Sequence, residues 1–466
     1  MLTLKKIYTF FFFLGLFFIP FNEFDGISLL GEYQAEAAIY FFLVAYFFVI
    51  CETVLQKKIK VPYENIFFKI IVLLLAIILL VFLFRFGEIK DNYFKQTNGV
   101  SRFLRQYISF GIMAIMLTHL FWNVVEGLNV NVLFKRVRRV FLYSLLFVFV
   151  YGFIEILIVF RGLHFLMPVL ELFDYFPFVN THLAVERVAI SSITFEVPAL
   201  GNYLIMVTGW MLSYILTERS YKRFLPIGMV LILMFFSDSR TAFICIIIQL
   251  IVFFVLLISW EKYRENTLAF IKFGGIFIFS ALVFKSNAIL PKIEDKVDRI
   301  NFFQNLTKDV SNKSRFGMQK ASLEVFKDYP VFGVGLGQDT YYKRKYYPYW
   351  ATVNNWEYKY WYKNQKIKSF PPAYNMYTRL LSETGIVGTL LFVSLLLLTL
   401  YYSFKHFLRL PGDNKYIALI LIVSFSGLIV NWLQMDFFRQ YGFWLCLILL
   451  IKLNYSVVPN KISCEN

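Results

Sequence analysis

The chain has 466 residues, of which 59% are hydrophobic and 20% aromatic, and its mean hydropathy is +0.61. These values lie far outside the range of soluble globular proteins and are typical of a chain that crosses a membrane several times. The formal net charge is +17 at pH 7, but the cations lie in short loops beside apolar runs, as the positive-inside rule describes. Nucleic-acid binding is therefore not expected.

Apolar segments predict an all-α polytopic membrane protein with about twelve transmembrane helices. The first follows Lys6 and resembles a signal peptide, but the small-residue motif Ala35-Glu36-Ala37 lies too far beyond it, so we interpret it as a retained span. The predicted spans lie near residues 7–19, 36–55, 66–85, 104–123, 139–160, 198–217, 223–236, 241–259, 268–285, 376–403, 416–434 and 437–455.

These spans predict three parts of the chain. Residues 1–285 hold nine helices, residues 286–375 form one large loop between helices 9 and 10, and residues 376–466 hold three helices and a tail. The first outer loop, residues 21–34, has three acids and no Lys or Arg, whereas most inner loops are basic; the loop 85–105 runs against this pattern. The rule then predicts cytoplasmic N- and C-termini and an external large loop.

The large loop contains a helical pattern at 314–327, a glycine turn at 329–337 and a segment rich in Tyr, Trp, Lys and Arg at 341–362. A loop of this length in a membrane protein is usually functional or disordered, and the aromatic content argues against disorder. The aromatic side chains fit an interfacial belt as well as platforms for sugar rings, and the sequence leaves both interpretations open.

Arg240 is the sharpest candidate for a functional side chain, because an arginine between two apolar spans needs a partner or an anionic ligand. It either snorkels and pairs with Asp238, or it offers a fork of donors to a phosphate group at the membrane surface. Arg315, at the start of the loop helix, and Arg187, beside Glu186, are further candidates for the same ligand, although each also fits a solvated face.

The sequence contains no familiar metal or nucleotide motif. There is no Asp-x-Asp, no zinc spacing among the four histidines and no CxxC or disulfide framework among the four cysteines. The glycines 333, 335 and 337 lack the βαβ context of a nucleotide fingerprint, so a tight turn is the favoured interpretation. No cofactor and no metal are therefore expected.

In order and spacing, several weak motifs resemble the bacterial O-antigen polymerase and O-antigen ligase superfamily. The resemblance covers about residues 185–400 and rests on Arg187 with Glu196-x-Pro198, Ser237-x-Ser239-Arg240, the Arg315 helix ending at Pro330-x-x-Gly333-x-Gly335, and Tyr374-Asn375 with Glu383-x-Gly385. It implies a metal-independent glycosyltransferase of the bacterial inner (cytoplasmic) membrane. Such enzymes use glycans carried on undecaprenyl diphosphate at the periplasmic side.

The resemblance also implies roles for individual residues. Arg240 and Arg315 are expected to hold the donor diphosphate, with Arg187 in support. The other residues expected to bind substrate are Glu196, Asn375, Glu383, Gly333 and Gly335.

Tyr374 is expected to act with the two arginines, but it marks a departure from the family pattern. Ligases of the superfamily have a histidine, the proposed base, just before the asparagine. Since a tyrosine has an ordinary pKa of about 10, it is a poor base at neutral pH. His182 or Glu196 are alternative bases, or the good leaving group needs little base assistance. This departure favours a polymerase over a ligase.

The expected function is therefore polymerisation of undecaprenyl-diphosphate-linked oligosaccharide repeats into a surface polysaccharide, namely O-antigen of lipopolysaccharide, capsule or exopolysaccharide. The alternatives are a ligase that transfers the glycan to lipid A-core, a flippase for lipid-linked glycans, and a non-catalytic assembly scaffold. A flippase tends to have repeated halves, which this sequence lacks. The expected partners are the lipid-linked donor and acceptor, the bilayer, a chain-length regulator and a flippase.

Overall fold

The computed structural model describes residues 3–183, 189–269, 272 and 310–457. It shows an all-α polytopic membrane protein, in which the strands of the described residues are limited to the hairpin Tyr93–Phe94 and Thr97–Asn98. Lys95 and Gln96 both have positive φ, which is the turn geometry that such a two-residue hairpin requires.

Twelve long helices form the described structure, and we number them in chain order. They are α1 (Leu4–Phe17), α2 (Ala37–Gln56), α3 (Ile66–Phe84), α4 (Gly99–Glu126), α5 (Val130–Arg161), α6 (Val197–Thr217), α7 (Leu225–Phe236), α8 (Arg240–Ser259), α9 (Val310–Asp328), α10 (Met376–Arg409), α11 (Gly412–Asn431) and α12 (Tyr441–Val457). Short helical turns connect them at Ser28–Tyr33, Phe86–Asp91, His164–Leu166, Met167–Glu171, Leu172–Tyr175, Tyr221–Phe224, Asp339–Lys343, Tyr349–Thr352, Trp356–Tyr358 and Lys359–Lys363.

Eight of these helices are long and apolar enough to cross a membrane, namely α2 to α6, α8, α10 and α11. The helices α1, α7 and α12 lie at predicted spans but have only 14, 12 and 17 residues. The predicted span at 268–285 lies outside the described residues. The count of twelve spans and the three-part division of the chain therefore stay predictions.

Polar residues start several helices in the way that helix capping predicts. At each of these positions the side chain accepts a hydrogen bond from an amide of the first turn, which would otherwise lack a partner. The capping residues are Asn65 (α3), Asn98 (α4), Asn129 (α5), Ser239 (α8) and Asn375 (α10).

Helix α11 lies at the centre of the bundle and packs against α6, α8, α10 and α12. Gly209 of α6 permits the close approach, because a Cβ there would overlap the hydroxyl of Ser424. The buried amide of Gln249 on α8 donates to the carbonyls of Ile205 (3.1 Å) and Val423 (3.2 Å), and so joins three helices. Small residues and interhelical hydrogen bonds are the usual means of packing helices in a bilayer.

The described part of the large loop forms a helical layer against this bundle. Its longest helix, α9, extends the helix predicted at 314–327 by a few residues at its start, and it packs against α10 and the short helices that follow it. Gly317 lies so close to Ala351 that a Cβ there would overlap the alanine side chain. The helices of the loop layer are therefore closely packed on one another.

Candidate functional site

A cavity of about 1620 Å³ lies between the loop layer and the ends of α6, α8 and α11. Its volume exceeds the 300–1,000 Å³ that is typical of sites for small ligands. The charged and histidine residues that line it are Glu32, Arg102, His182, Glu196, Asp238, Arg240, Arg315, Asp339, Lys343, Glu357, Arg379, Glu383, Asp436 and Arg439. Five of these residues are arginines, and each guanidinium group offers a fork of donors that suits a phosphate or carboxylate group.

The motif Ser237-x-Ser239-Arg240 forms the turn that starts α8. Asp238 has a φ of 54°, and the Ser239 hydroxyl caps the helix by accepting from the amide of Ala242 at 3.3 Å. This turn brings Arg240 to the cavity wall at the N-terminal end of α8. A helix N-terminus favours negative charge, so the guanidinium and the helix end prefer the same kind of ligand.

Arg315 reaches the same cavity from α9. Its Nη1 donates to Gln434 Oε1 at 2.9 Å, and its guanidinium lies 5.4 Å from the centre of the Tyr374 ring. Contact with an aromatic face holds a guanidinium without neutralising its charge. We call Arg240 and Arg315 the clamp arginines. The third predicted arginine, Arg187, lies outside the described residues.

Tyr374 lines the cavity beside Arg315, with its backbone in the left-handed region at a φ of 57°. Burial raises the pKa of its phenol, the Glu357 carboxylate adds to this effect and Arg315 opposes it. A phenol with a raised pKa is an even poorer base at neutral pH than a free tyrosine. The geometry therefore suits Tyr374 to positioning Arg315 or a ligand, not to accepting a proton.

Two predicted glycines, Gly333 and Gly335, hold the loop against α10. The amide of Val334 donates to the carbonyl of Ser382 at 2.9 Å, and the amide of Gly335 donates to the backbone carbonyl of Glu383 at 2.8 Å. Both glycines have positive φ, and a Cβ at Gly333 would overlap the α10 backbone. Neither is among the residues lining this cavity, so the role that the structure describes for them is close packing, and their contact with substrate stays a prediction.

Asn375 caps α10 with its side chain, and its contact with substrate stays a prediction. Its Oδ1 accepts from the amides of Tyr377 (2.9 Å) and Thr378 (3.1 Å). It is not among the residues lining the cavity described here. An asparagine directly before an apolar helical run is a standard N-cap signal, and this signal in the sequence indicated the role that the structure shows.

Glu383 and Glu196, which the sequence predicted to bind substrate, both line the cavity. Glu383 is buried and forms an ion pair with Arg379, with 3.0 Å between Oε2 and Nε. The Arg379 guanidinium also donates to Gln106 Oε1 at 2.6 Å and to the carbonyl of Asp436. Arg379 was not identified from the sequence, although its spacing of four residues from Glu383 on one helix is a readable signal.

A network of carboxylates surrounds the other arginines of this wall. Arg439 is paired with Glu36 and lies near Glu32, and Arg102 lies 3.5 Å from Glu32. Burial alone would raise the pKa of Glu32, but the charges of Arg439, Arg102 and Arg379 lower it overall. We call Arg102, Arg379 and Arg439 the carboxylate-bound arginines. None of the three was identified from the sequence, and the partners of Arg102 and Arg439 lie in distant parts of the chain.

The aromatic segment of the loop divides into two groups. Tyr347, Tyr358 and Tyr362 stack on one another with ring centres 4.6 to 5.2 Å apart, which makes them an internal support of the loop. Trp356 and Trp361 instead line the cavity. The predicted platform for sugar rings is thereby narrowed to these two tryptophans.

Residues 225–393 match the family model described as O-antigen ligase. The matched segment runs from the start of α7 into α10 and contains both clamp arginines, Tyr374 and Glu383. The match confirms the resemblance drawn from the sequence motifs. No curated protein matches the chain.

Proposed function

We propose that this chain, whose residues 225–393 match the O-antigen ligase family model, is a membrane glycosyltransferase that polymerises undecaprenyl-diphosphate-linked oligosaccharide repeats. The reaction takes place on the periplasmic side of the bacterial inner membrane, with both termini of the chain in the cytoplasm. The observation that carries the proposal is that Arg240 and Arg315 line one cavity, although they come from different helices. One guanidinium group at a helix N-terminus and a second from another helix in the same cavity suit a diphosphate.

In the proposed reaction the clamp arginines bind the diphosphate of the donor. A hydroxyl of the acceptor sugar attacks the anomeric carbon with inversion, and the bond from that carbon to the diphosphate oxygen breaks. The leaving diphosphate gains negative charge, which the preorganised guanidinium groups stabilise. Because the arginines supply this positive charge, the proposed chemistry is independent of a metal ion and a cofactor.

Two features support a polymerase. A polymerase binds two lipid-linked glycans at once, and a cavity of about 1620 Å³ with Trp356 and Trp361 in its lining suits two sugar chains. Tyr374 stands at the position of the ligase histidine, and its raised pKa makes it unsuitable as a base. A chain-length regulator and a flippase are the proposed protein partners.

A ligase is the second candidate, because the matching family model carries that description. The two functions differ only in the acceptor, since both use the same donor. A ligase transfers the glycan to lipid A-core, whereas a polymerase transfers it to another lipid-linked repeat. An assay with defined acceptors therefore separates them.

The test uses purified full-length protein in nanodiscs and lipid-linked repeats extracted from a strain that lacks this protein. The repeats alone are expected to give a ladder of longer products on a gel, and Arg240→Ala or Arg315→Ala is expected to abolish it. Arg219→Ala, on an exposed loop, is the matched control. Product that forms only when lipid A-core is added makes the protein a ligase. Wild-type ladders from either clamp variant contradict the clamp.

A further inference from the structure

At the cavity His182 forms an ion pair with Glu23 and a hydrogen bond with Ser191, and these three side chains make a connected series. His182 Nδ1 lies 2.6 Å from Glu23 Oε2, and His182 Nε2 lies 2.8 Å from Ser191 Oγ. His182 and Ser191 line the same cavity as Arg240 and Arg315. The series joins a loop after α1 to the segment between α5 and α6, and the proposed diphosphate clamp gives it no role.

The surroundings of His182 fix which nitrogen carries the proton in the neutral ring. Nδ1 faces two acceptors, the Glu23 carboxylate and the carbonyl of Asn180 at 3.2 Å. The proton therefore lies on Nδ1, and the lone pair of Nε2 faces the Ser191 hydroxyl. A histidine oriented in this way is a base whose lone pair already points at a hydroxyl group in the cavity.

Helix α5 holds this arrangement in place. The Tyr151 hydroxyl accepts from the backbone amide of His182 at 3.3 Å, and the Glu155 carboxylate accepts from the amides of Ser191 (3.2 Å) and Ser192 (2.8 Å). Helix α5 thus positions His182 and Ser191 by holding the backbone of each. Fixed geometry of this kind is what a catalytic proton transfer needs.

Among the described residues, the titratable groups around His182 are Glu23, Glu155, Tyr151 and, through the amide of Thr181, Asp174. Burial alone would lower the pKa of His182, but the Glu23 carboxylate raises it, with smaller contributions from the Asn180 carbonyl and Glu155. The balance raises the pKa above its ordinary value and ties it to Glu23.

We propose that His182 is the general base of the transfer and that Glu23 orients it. The inference rests on the proposed glycosyl transfer. It supplies a base for that reaction, since Tyr374 is unsuited to accept the proton. The acceptor hydroxyl gives its proton to Nε2, and its oxygen forms the bond to the anomeric carbon. The bond from that carbon to the diphosphate oxygen breaks with its electron pair on the diphosphate. The imidazolium then releases its proton to water.

The first test replaces the base. His182→Asn is expected to lower kcat about 10²- to 10⁴-fold with little change in KM, because the ring acts in the transition state. His164→Asn, on an exposed turn, is the control and keeps the wild-type rate. A wild-type kcat in His182→Asn overturns the inference. If the wild-type protein itself forms no product with either acceptor, the proposed function fails instead.

The second test separates positioning from a general loss of structure. Glu23→Gln removes the carboxylate that raises the pKa of His182, so the acid limb of the kcat–pH profile is expected to move to lower pH. Asp25→Asn, an exposed neighbour, leaves the limb in place. A merely structural role of Glu23 lowers the rate at every pH without moving the limb, and that result contradicts the proposal.

Ser191 provides the third test. Ser191→Ala is expected to keep most of the activity, because the acceptor hydroxyl takes the place of the Ser191 hydroxyl at Nε2. If this variant loses as much activity as His182→Asn, Ser191 acts as a nucleophile and the direct role of His182 on the acceptor is wrong.

Discussion

The cavity has two groups of arginines that lie on different elements of the fold. The carboxylate-bound arginines contact Glu32, Glu36 and Glu383, so three positive groups meet three negative ones. Of the clamp arginines, Arg315 donates to a neutral amide and lies over an aromatic ring. The first group links α4, α10 and the start of α12 to the N-terminal loop. The second lies where the loop layer meets the start of α8.

This difference separates arginines that are expected to stabilise the fold from arginines that are proposed to bind the substrate. A buried charge is costly to remove from water, so an arginine deep in a fold needs a carboxylate as its partner. The clamp arginines lie at the start of α8 and on α9, where their forks of guanidinium donors suit the phosphate groups of the proposed ligand. Substitutions in the first group are therefore expected to affect stability, and those in the second to affect activity.

The largest expected effect on stability comes from Arg379→Ala. It leaves Glu383 as a buried carboxylate without its ion-pair partner, which typically costs about 3–5 kcal/mol. We expect a lower unfolding temperature in detergent and less protein in the membrane, both measured against Arg219→Ala. The double variant Arg379→Met with Glu383→Leu is expected to recover most of the stability, because it buries no charge. An unchanged unfolding temperature in Arg379→Ala contradicts an architectural role.

The clamp arginines are expected to show the reverse pattern. Arg240→Lys and Arg315→Lys keep the charge but lose the planar fork of donors, so we expect activity between that of wild type and that of the alanine variants. The alanine variants are expected to lose about 10²- to 10³-fold in kcat, the usual effect of removing one stabilising donor. Unfolding temperatures should stay near wild type. A clamp variant that unfolds like Arg379→Ala erases the distinction between the two groups.

The elements and residues that could be predicted from the sequence are those marked by a pattern among neighbouring residues. The apolar runs indicated α2 to α6, and Arg240 stood out because it lies between two such runs. Ser239 as a helix cap belongs to the same class. These features depend on neighbours within a few residues, so one sequence is enough to find them.

The contacts that could not be predicted from the sequence join residues that are far apart along the chain. Arg439 contacts Glu36 although the two residues lie near opposite ends of the sequence, and His182 contacts Glu23 although they belong to different loops. No spacing in the sequence encodes such contacts, because helix packing creates them. Asn375 and the loop glycines carry local signals of a different kind. Their roles in capping and close packing are readable from neighbouring residues, whereas the substrate contacts that the family resemblance implies stay predictions.

The smallest expected effect concerns the pH dependence of stability and the Glu32 carboxylate. The nearby arginines lower the pKa of Glu32 in the folded protein below its ordinary value of 4.5. The ionised group therefore stabilises the fold above pH 4.5, and this contribution is lost as the pH falls through the lowered pKa. Glu32→Gln is expected to destabilise the protein at neutral pH by about 1 kcal/mol or less, since the side chain is partly exposed. The two unfolding temperatures should converge as the pH falls below 4.5. A difference that is constant over this range means that the arginines bind Glu32 without affecting its ionisation, and that the carboxylate network is weaker than the contacts indicate.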